Sequence, residues 1–291
     1  MAEPRARTRF APSPTGPLHL GHAFSALTAF ERARAVGGEM LLRIEDIDTA
    51  RCKPEWEAMI LDDLAWLGLD WSRPVLRQST RLPAYGAALD RLAEMGLVYP
   101  CRCRRSDIRA ALSAPQAGAP VLGPDGLVYP GTCRGRPMAE AGPEDAIRLD
   151  MARALARLDA LPAFTETGPA HEGRHHLSEA ALIHEVGDVV LARRDIGTSY
   201  HIAVVVDDAF QRITEVVRGE DLFEVTPINI ILQDLLGLSS PTYHHHRLIT
   251  DDTGKRLAKR DDARAIARYR EEGATPADIR ALVGLSPARA P

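Results

Sequence analysis

Aromatic side chains are scarce: six Phe, six Tyr and three Trp make up 5% of the 291 residues. So thin a supply offers no long platform on which unpaired bases could stack. Charge of one sign is not in excess either, since 36 Lys and Arg stand against 40 Asp and Glu, for a net charge of -4. Bulk electrostatics therefore do not announce a nucleic-acid binder, and any RNA contact must rest on local basic patches. No run approaches the roughly 20 apolar residues that span a bilayer. The arginines of M-A-E-P-R-A-R-T-R-F-A-P have no apolar stretch behind them, so a cytoplasmic location with no membrane partner is expected. Cysteines number four, and without an export signal they favour metal binding over a disulfide framework. What is present is ordinary for a globular chain: 45% hydrophobic and 26% charged residues, which excludes a disordered, collagenous or coiled-coil class. The length suits one core domain with an insertion.

Residues 7–10 read as a short strand broken by Pro12, Pro14, Gly16 and Pro17, and residues 20–36 as a helix stopped by Gly37 and Gly38. M-L-L-R-I at residues 40–44 is a second strand, so the chain opens as a βαβ unit of a doubly wound α/β sheet. Apolar residues at helical spacing predict helices over 53–67 and 81–95. Residues 99–143 turn rich in Cys, Arg, Pro, Gly and Ala, too poor in periodic apolar residues to form a core without a staple. Further on, D-V-V-L (188–191) and H-I-A-V-V-V (201–206) read as buried strands, and residues 227–236 as a helix. The expected organisation is 1–98 as the first half of the core, 99–143 as the insertion, 144–247 as the second half and 248–291 as a basic, helical C-terminal part.

Three clusters carry chemistry. His19 and His22 lie three residues apart where a strand hands over to a helix, with Gly21 between them. That spacing puts both imidazoles on one face, and the helix N-terminus suits a phosphate. On this pair alone a metal site, or two capped surface histidines, is an equal reading. The loop Gly254-Lys255-Arg256-Leu257-Ala258-Lys259-Arg260 is strongly basic, which by itself reads as a solvated face. Cys101, Cys103 and Cys133 are three soft ligands that suit zinc but need a fourth, and Cys52 reads as a lone thiol.

Taken together these residues resemble the class I aminoacyl-tRNA synthetases, whose signatures are an H-I-G-H motif in the first βα unit and a K-M-S-K-S loop late in the catalytic domain. They appear here as His19-Leu20-Gly21-His22 and Arg256-Leu257-Ala258-Lys259-Arg260. R-F-A-P-S-P-T-G (9–16), R-I-E-D-I-D (43–48) and V-R-G-E-D (217–221) are similar to the glutamyl branch in particular. The resemblance implies a Rossmann-type catalytic domain that joins L-glutamate to ATP. A glutamate carries two carboxylates and one ammonium, so its pocket needs cationic forks and one anion. By that resemblance Arg9, Ser13, Glu45, Tyr200 and Arg218 line the glutamate pocket. His19, Gly21, His22, Arg256 and Lys259 bind ATP, whose Mg²⁺ bridges the phosphates. His19, His22 and Lys259 are the implied catalytic residues, stabilising charge on the phosphates. Ala258 replaces the serine of the loop motif, and His201 stands where many relatives carry an amide.

A short branch of the glutamyl enzymes has a Cys-x-Cys, Tyr-x-x-x-Cys zinc site, which implies Cys101, Cys103, Tyr129 and Cys133 as ligands of one structural Zn²⁺. That branch activates glutamate without tRNA and attaches it to queuosine in the anticodon stem-loop of tRNA(Asp). The short stretch after Arg260 leads to the same expectation, since an anticodon-reading domain does not fit in it. The alternative is a truncated glutamyl-tRNA synthetase charging a tRNA 3′ end. An H-I-G-H nucleotidyltransferase of the pantothenate synthetase kind would leave R-I-E-D and R-G-E-D unexplained. A paralogue that only binds RNA would not need His19, His22 and Lys259. For the phosphates of the RNA, Arg102, Arg104, Arg105, Arg134, Arg136, Arg260, Arg264 and Arg268 are the candidates. A monomer is expected.

Overall fold

Strand β1 (Arg7–Phe10) ends where Pro12, Pro14 and Pro17 remove the N–H groups that would extend a ladder. Helix α1 (Leu20–Ala35) follows and stops at Gly37, whose φ of 66° reverses the chain. The N–H groups of Gly37 and Gly38 donate back to Arg34 O (3.1 Å) and Ala33 O (2.8 Å). Gly38 then passes under Ala6 so closely that a Cβ would lie 2.4 Å from Ala6 O. Only glycine lets β2 (Glu39–Ile44) begin there, parallel to β1 with Arg7 opposite Glu39 and Phe10 opposite Leu42. Helix α2 (Pro54–Trp66), β3 (Ser72–Arg77), parallel to β2, and α3 (Leu82–Glu94) complete this half. The computed structural model describes residues 5–113, 120–250 and 264–287.

The chain next leaves the parallel sheet through β4 (Val98–Cys101), α4 (Arg105–Leu112), the hairpin β5 (Leu122–Gly123) and β6 (Gly126–Leu127), β7 (Ala146–Leu149) and α5 (Met151–Arg157). Strands β8 (Ala163–Glu166) and β9 (Gly173–His176) and the short α6 (Glu179–Ala181) lead to β10 (Val190–Ala192). Helix α7 (Tyr200–Phe210), β11 (Glu215–Gly219), α8 (Thr226–Leu235) and β12 (Thr242–His246) return to the parallel sheet, and α9 (Ile266–Glu271) and α10 (Pro276–Leu282) follow. Strands β4, β7 and β10 form a separate antiparallel sheet in the order β10-β7-β4, which takes strands from both sides of residue 143.

The parallel strands form two groups, β1-β2-β3 and β11-β12-β8 with antiparallel β9 at the edge. They meet at β1 and β11, where Thr214 N donates to Arg7 O at 3.0 Å. The chain runs outward in opposite directions from that seam. In an α/β sheet such a switch point opens a crevice at the carboxyl ends of the strands, where ligands bind. One core lies under α1 and α2, with Leu27, Leu42, Ile44, Ile60 and Leu64 at 0–1% exposure, and α10 closes it with Ile279 and Val283. The other surrounds α7 and α8. Among the described residues no helix is long and apolar enough to cross a membrane.

One expectation is corrected. H-I-A-V-V-V at 201–206 is not a strand but the first half of α7. The helix lies between α3, α8 and β10, so Ile202, Ala203, Val204 and Val205 are all buried. A helix buried on every side loses the polar stripe that gives helical periodicity and reads like a central strand.

Candidate active site

The loop of residues 11–18 is fixed across the ends of β1 and β2 by Glu45 N to Pro12 O (3.0 Å) and Lys53 N to Pro14 O (3.0 Å). It delivers His19 as the N-cap of α1. His19 Nδ1 accepts from Gly21 N at 3.1 Å, and His22 Nδ1 accepts from His19 N at 3.2 Å. This is a capping box in which two histidines replace the usual hydroxyl and carboxamide or carboxylate. Gly21 is needed because a Cβ would sit 3.0 Å from His19 Cε1. An isolated bridge joins His19 to Ala265, and Ile266 N donates to Leu18 O at 2.8 Å. Arg256, Lys259 and Arg260 lie outside the described residues. Ile249 before them lines the cavity beside His19, and Ala265 after them touches His19 itself.

That cavity, about 440 Å³, opens at the carboxyl ends of β1, β2, β11 and β12 and is lined by Arg9, Ser13, His19, Gly21, His22, Glu45, Tyr200 and Arg218. Every residue expected for glutamate therefore meets the H-x-x-H residues around one space. Beneath it lies an ion network that sequence reasoning missed. Arg9 Nε donates to Asp208 Oδ1 at 3.0 Å and Arg9 Nη1 to Val217 O at 3.0 Å. Arg43, with its side chain at 0% exposure, gives Nη1 to the same Asp208 oxygen at 2.6 Å and Nη2 to Glu45 Oε1 at 3.1 Å. Burial pushes the Asp208 carboxyl up, but Arg9 and Arg43 outweigh it and hold the group below its ordinary range. For Glu45 burial prevails over Arg43 and Arg9, so its carboxyl titrates above its ordinary range. A cation placed on Glu45 would bring it down again.

Arg218 is 5% exposed and uses all five N–H groups. Nε donates to His245 Nε2 (3.0 Å), Nη1 to Tyr200 Oη (3.2 Å) and Asn229 Oδ1 (3.1 Å), and Nη2 to Leu222 O (3.2 Å) and Thr226 Oγ1 (2.9 Å). His245 can accept from Arg218 only if its proton is on Nδ1, which faces Glu166 Oε2 at 2.5 Å. Glu166 also accepts from the backbone N–H groups of His245 (2.9 Å) and Gly168 (2.6 Å). Burial works against the Glu166 charge, yet these donors bring its carboxyl down to about 2. Burial lowers His245, against the pull of Glu166, and keeps it neutral. Glu166, His245 and Arg218 thus form a buried chain ending at the cavity. His246, the next residue of β12, also lines it and was not anticipated; its Nε2 is buried with no hydrogen-bond partner among the described residues. The run H-H-H at 244–246 was a signal in plain view.

The cysteines gather elsewhere. The Sγ atoms of Cys101, Cys103 and Cys133 lie within 4.8 Å of one another. Tyr129 Oη is 3.3 Å from Cys101 Sγ and 3.4 Å from Cys103 Sγ, and accepts the Cys133 N–H at 2.8 Å. Gly131, at φ 81°, turns the chain so that Tyr129 and Cys133 face the same point. Three sulfurs and a phenol oxygen converging in this way fit a tetrahedral zinc. Burial pushes the Cys103 thiol up to about 11 and the Tyr129 hydroxyl well above its range. Cys133 is lowered to about 7, because hydrogen bonds from Tyr129 and the Arg102 backbone overcome its burial. Cys52 lies apart, its Sγ 3.9 Å from Glu45 O.

The basic residues expected to hold RNA divide in two. Arg134 is committed to Asp188 (2.8 Å) and Arg136 to Asp145 (3.0 Å), while Arg264 and Arg268 pair with Glu272. Arg102 stands 3.8 Å from Asp145. Arg104 and Arg105 form no ion pair among the described residues, which leaves their charge for a ligand.

Comparison with known proteins agrees with this architecture. Residues 5–120 and 176–288 match the catalytic domain of the class I tRNA synthetases of the E and Q type. The chain is 64% identical over 281 residues to a glutamyl-Q tRNA(Asp) synthetase of Rhodobacter capsulatus, covering 96% of this chain and 99% of that one. It is 41% identical to the protein of the same name from Nitratidesulfovibrio vulgaris, covering 94% and 83%. Among solved structures, glutamate-tRNA synthetase from Elizabethkingia anophelis superposes with a TM-score of 0.76 at 29% identity, over 98% of this chain but 63% of that one. A methionyl-tRNA synthetase of Mycobacterium tuberculosis, at 12% identity and a TM-score of 0.59, shares the fold alone. The chain belongs to the class I tRNA synthetases of the E and Q type, by its catalytic domain.

Proposed function

We propose that this chain activates L-glutamate with ATP, without tRNA, and transfers it to the queuosine in the anticodon of tRNA(Asp). One observation carries the reading: charges complementary to glutamate line the same cavity as a helix N-terminus suited to phosphate. The names of the relatives support the acceptor. Glu45 takes the α-ammonium, while Arg9 and Arg218 serve the carboxylates. Because Arg218 has no unused donor, a substrate carboxylate enters by replacing one of its two 3.2 Å partners, Tyr200 Oη or Leu222 O, whose residues both line the cavity.

The α-carboxylate oxygen attacks the α-phosphorus, the bond to the β-phosphate oxygen breaks, and pyrophosphate leaves with that electron pair. Such a transfer needs positioning and positive charge rather than a protein nucleophile. His19 and His22 supply donors at the helix N-terminus, and Arg256 and Lys259 supply cations on the β/γ side. Magnesium carried in with ATP would neutralise phosphate charge. In the second step a hydroxyl of the queuosine diol attacks the glutamyl carbonyl carbon. An ester bond forms, the bond to AMP breaks, and the hydroxyl proton leaves with the phosphate. Cys101, Cys103, Tyr129 and Cys133 hold a structural zinc, because four protein ligands leave no open position for catalysis. The protein works in the cytoplasm as a monomer. The test is exchange of labelled pyrophosphate into ATP: exchange that requires glutamate and proceeds without tRNA supports the reading, and an absolute need for tRNA contradicts it.

A further inference from the structure

A second cavity, about 380 Å³, continues from the glutamate site toward the cysteine-bearing insertion. At one end it shares Ser13, Thr15, Glu45 and Tyr200 with the first. At the other it shares Asp48, Arg51, Asp125 and Arg193 with a third cavity of about 910 Å³. The walls of that third space carry Arg104, Arg105 and Arg109, which pair with no carboxylate among the described residues. Three connected spaces thus run from an amino-acid site, through a polar middle, to a cationic end.

Ser199 and His201 stand in the wall of the middle space. Ser199 Oγ and His201 Nδ1 are buried with no hydrogen-bond partner among the described residues, and each residue is 5% exposed. Unpaired, such groups cost free energy. The other ring nitrogen of His201, Nε2, stands 3.4 Å from Asp125 Oδ1, on the turn between β5 and β6. Asp125 is partly open, its side chain 44% exposed. A carboxylate beside an imidazole, in the wall of a cavity of about 380 Å³, is the chemistry that receives a vicinal diol, as a single acidic residue receives a ribose hydroxyl in dinucleotide sites.

We propose that this middle cavity is the acceptor subsite, which takes a five-membered ring bearing a cis-diol. Asp125 and His201 receive its hydroxyls, and Arg104, Arg105 and Arg109 hold the flanking phosphates. The diol then lies beside Tyr200, next to the activated carbonyl. This inference rests on the acceptor reading above, and two nucleosides carry the required diol: queuosine in the anticodon and the ribose at a tRNA 3′ end.

The test compares the wild-type chain with Asp125→Ala and His201→Ala in two assays. The first is glutamate-dependent pyrophosphate exchange without tRNA; the second is transfer of labelled glutamate to queuosine-bearing tRNA(Asp), to the same tRNA without queuosine, and to tRNA(Glu). Exchange uses neither side chain and should stay within about twofold in the Asp125 variant, whose partly exposed side chain can be removed without emptying the core. Transfer to queuosine-bearing tRNA(Asp) should fall about ten- to a hundredfold in kcat/KM in both variants, the scale of losing hydrogen bonds to a buried polar partner. The double variant should lose less than the product of the singles, because the two residues share one contact. Unchanged transfer in both variants, or a parallel loss of exchange in the Asp125 variant, overturns the subsite. If the wild-type chain charges only the 3′ end of tRNA(Glu), the queuosine reading fails while the subsite is still judged on the terminal ribose. Transfer to no acceptor overturns both.

Discussion

His245 offers the sharpest dissection, because its two nitrogens do different work and two amides imitate them separately. His245→Asn keeps a donor near the Nδ1 position, so it leaves Glu166 served but removes the acceptor for Arg218 Nε. His245→Gln does the reverse: the longer amide's oxygen reaches toward the Nε2 position, and Glu166 keeps only its two backbone donors. Hydrogen bonds to charged groups contribute about 1.5–3 kcal/mol. Losing one of five around Arg218 should cost about 1.5 kcal/mol of glutamate binding, a roughly tenfold rise in KM with kcat within about twofold. His245→Gln should instead leave KM near wild type and lower the unfolding temperature. Acid should reveal the same chain. Glu166, lowered to about 2 from 4.5, contributes stability that is present above pH 4.5 and lost as pH falls toward 2, about 3 kcal/mol in full. His245, lowered below 6.5, likewise stabilises the fold above pH 6.5 and loses that contribution below it, when a proton on Nε2 would face Arg218. Glutamate titrations of pyrophosphate exchange, and thermal melts carried from pH 8 down to pH 2, measure both effects. Equal KM values in the two variants would refute the assignment of Nε2 to Arg218.

Asp208→Asn should destabilise the fold by about 3–5 kcal/mol, since Arg9 and Arg43 would be left buried around a neutral amide; chemical denaturation measures this, and a loss under about 1 kcal/mol would count against the network. Cys101→Ser and Tyr129→Phe should lower the metal content found by elemental analysis, and Cys52→Ser should not; equal zinc in all three, or none in the wild type, contradicts the proposed ligand set. Lys259→Ala should reduce kcat of exchange by about ten- to a thousandfold, as when one transition-state cation is removed; unchanged turnover sinks that role.

The parts of the site legible in the sequence are those where chemistry and turn geometry fall within a few residues. His19-Leu20-Gly21-His22 had to sit at a helix start after a proline-broken strand, and it does. Cys101, Cys103 and Cys133 were readable because a close thiol pair with a third thiol in the same coreless stretch suits a soft metal, and Tyr129 because the resemblance pointed to it. Asp208 was hidden by distance, lying in sequence about 200 residues from Arg9; only an acid pair at the end of an apolar run hinted that Asp207 and Asp208 are buried. Glu166 and His245 were hidden in the same way, on neighbouring strands that only the folded sheet brings together. The misread strand at 201–206 has a simpler cause, since burial on all sides erases the helical pattern.

The most direct test of the whole account is transfer of labelled glutamate from ATP and glutamate to three RNAs: tRNA(Asp) with queuosine, tRNA(Asp) without it, and tRNA(Glu). The account predicts label on the first, none on the second and little on the third. Efficient charging of the 3′ end of tRNA(Glu), with queuosine-bearing tRNA(Asp) unlabelled, would contradict it.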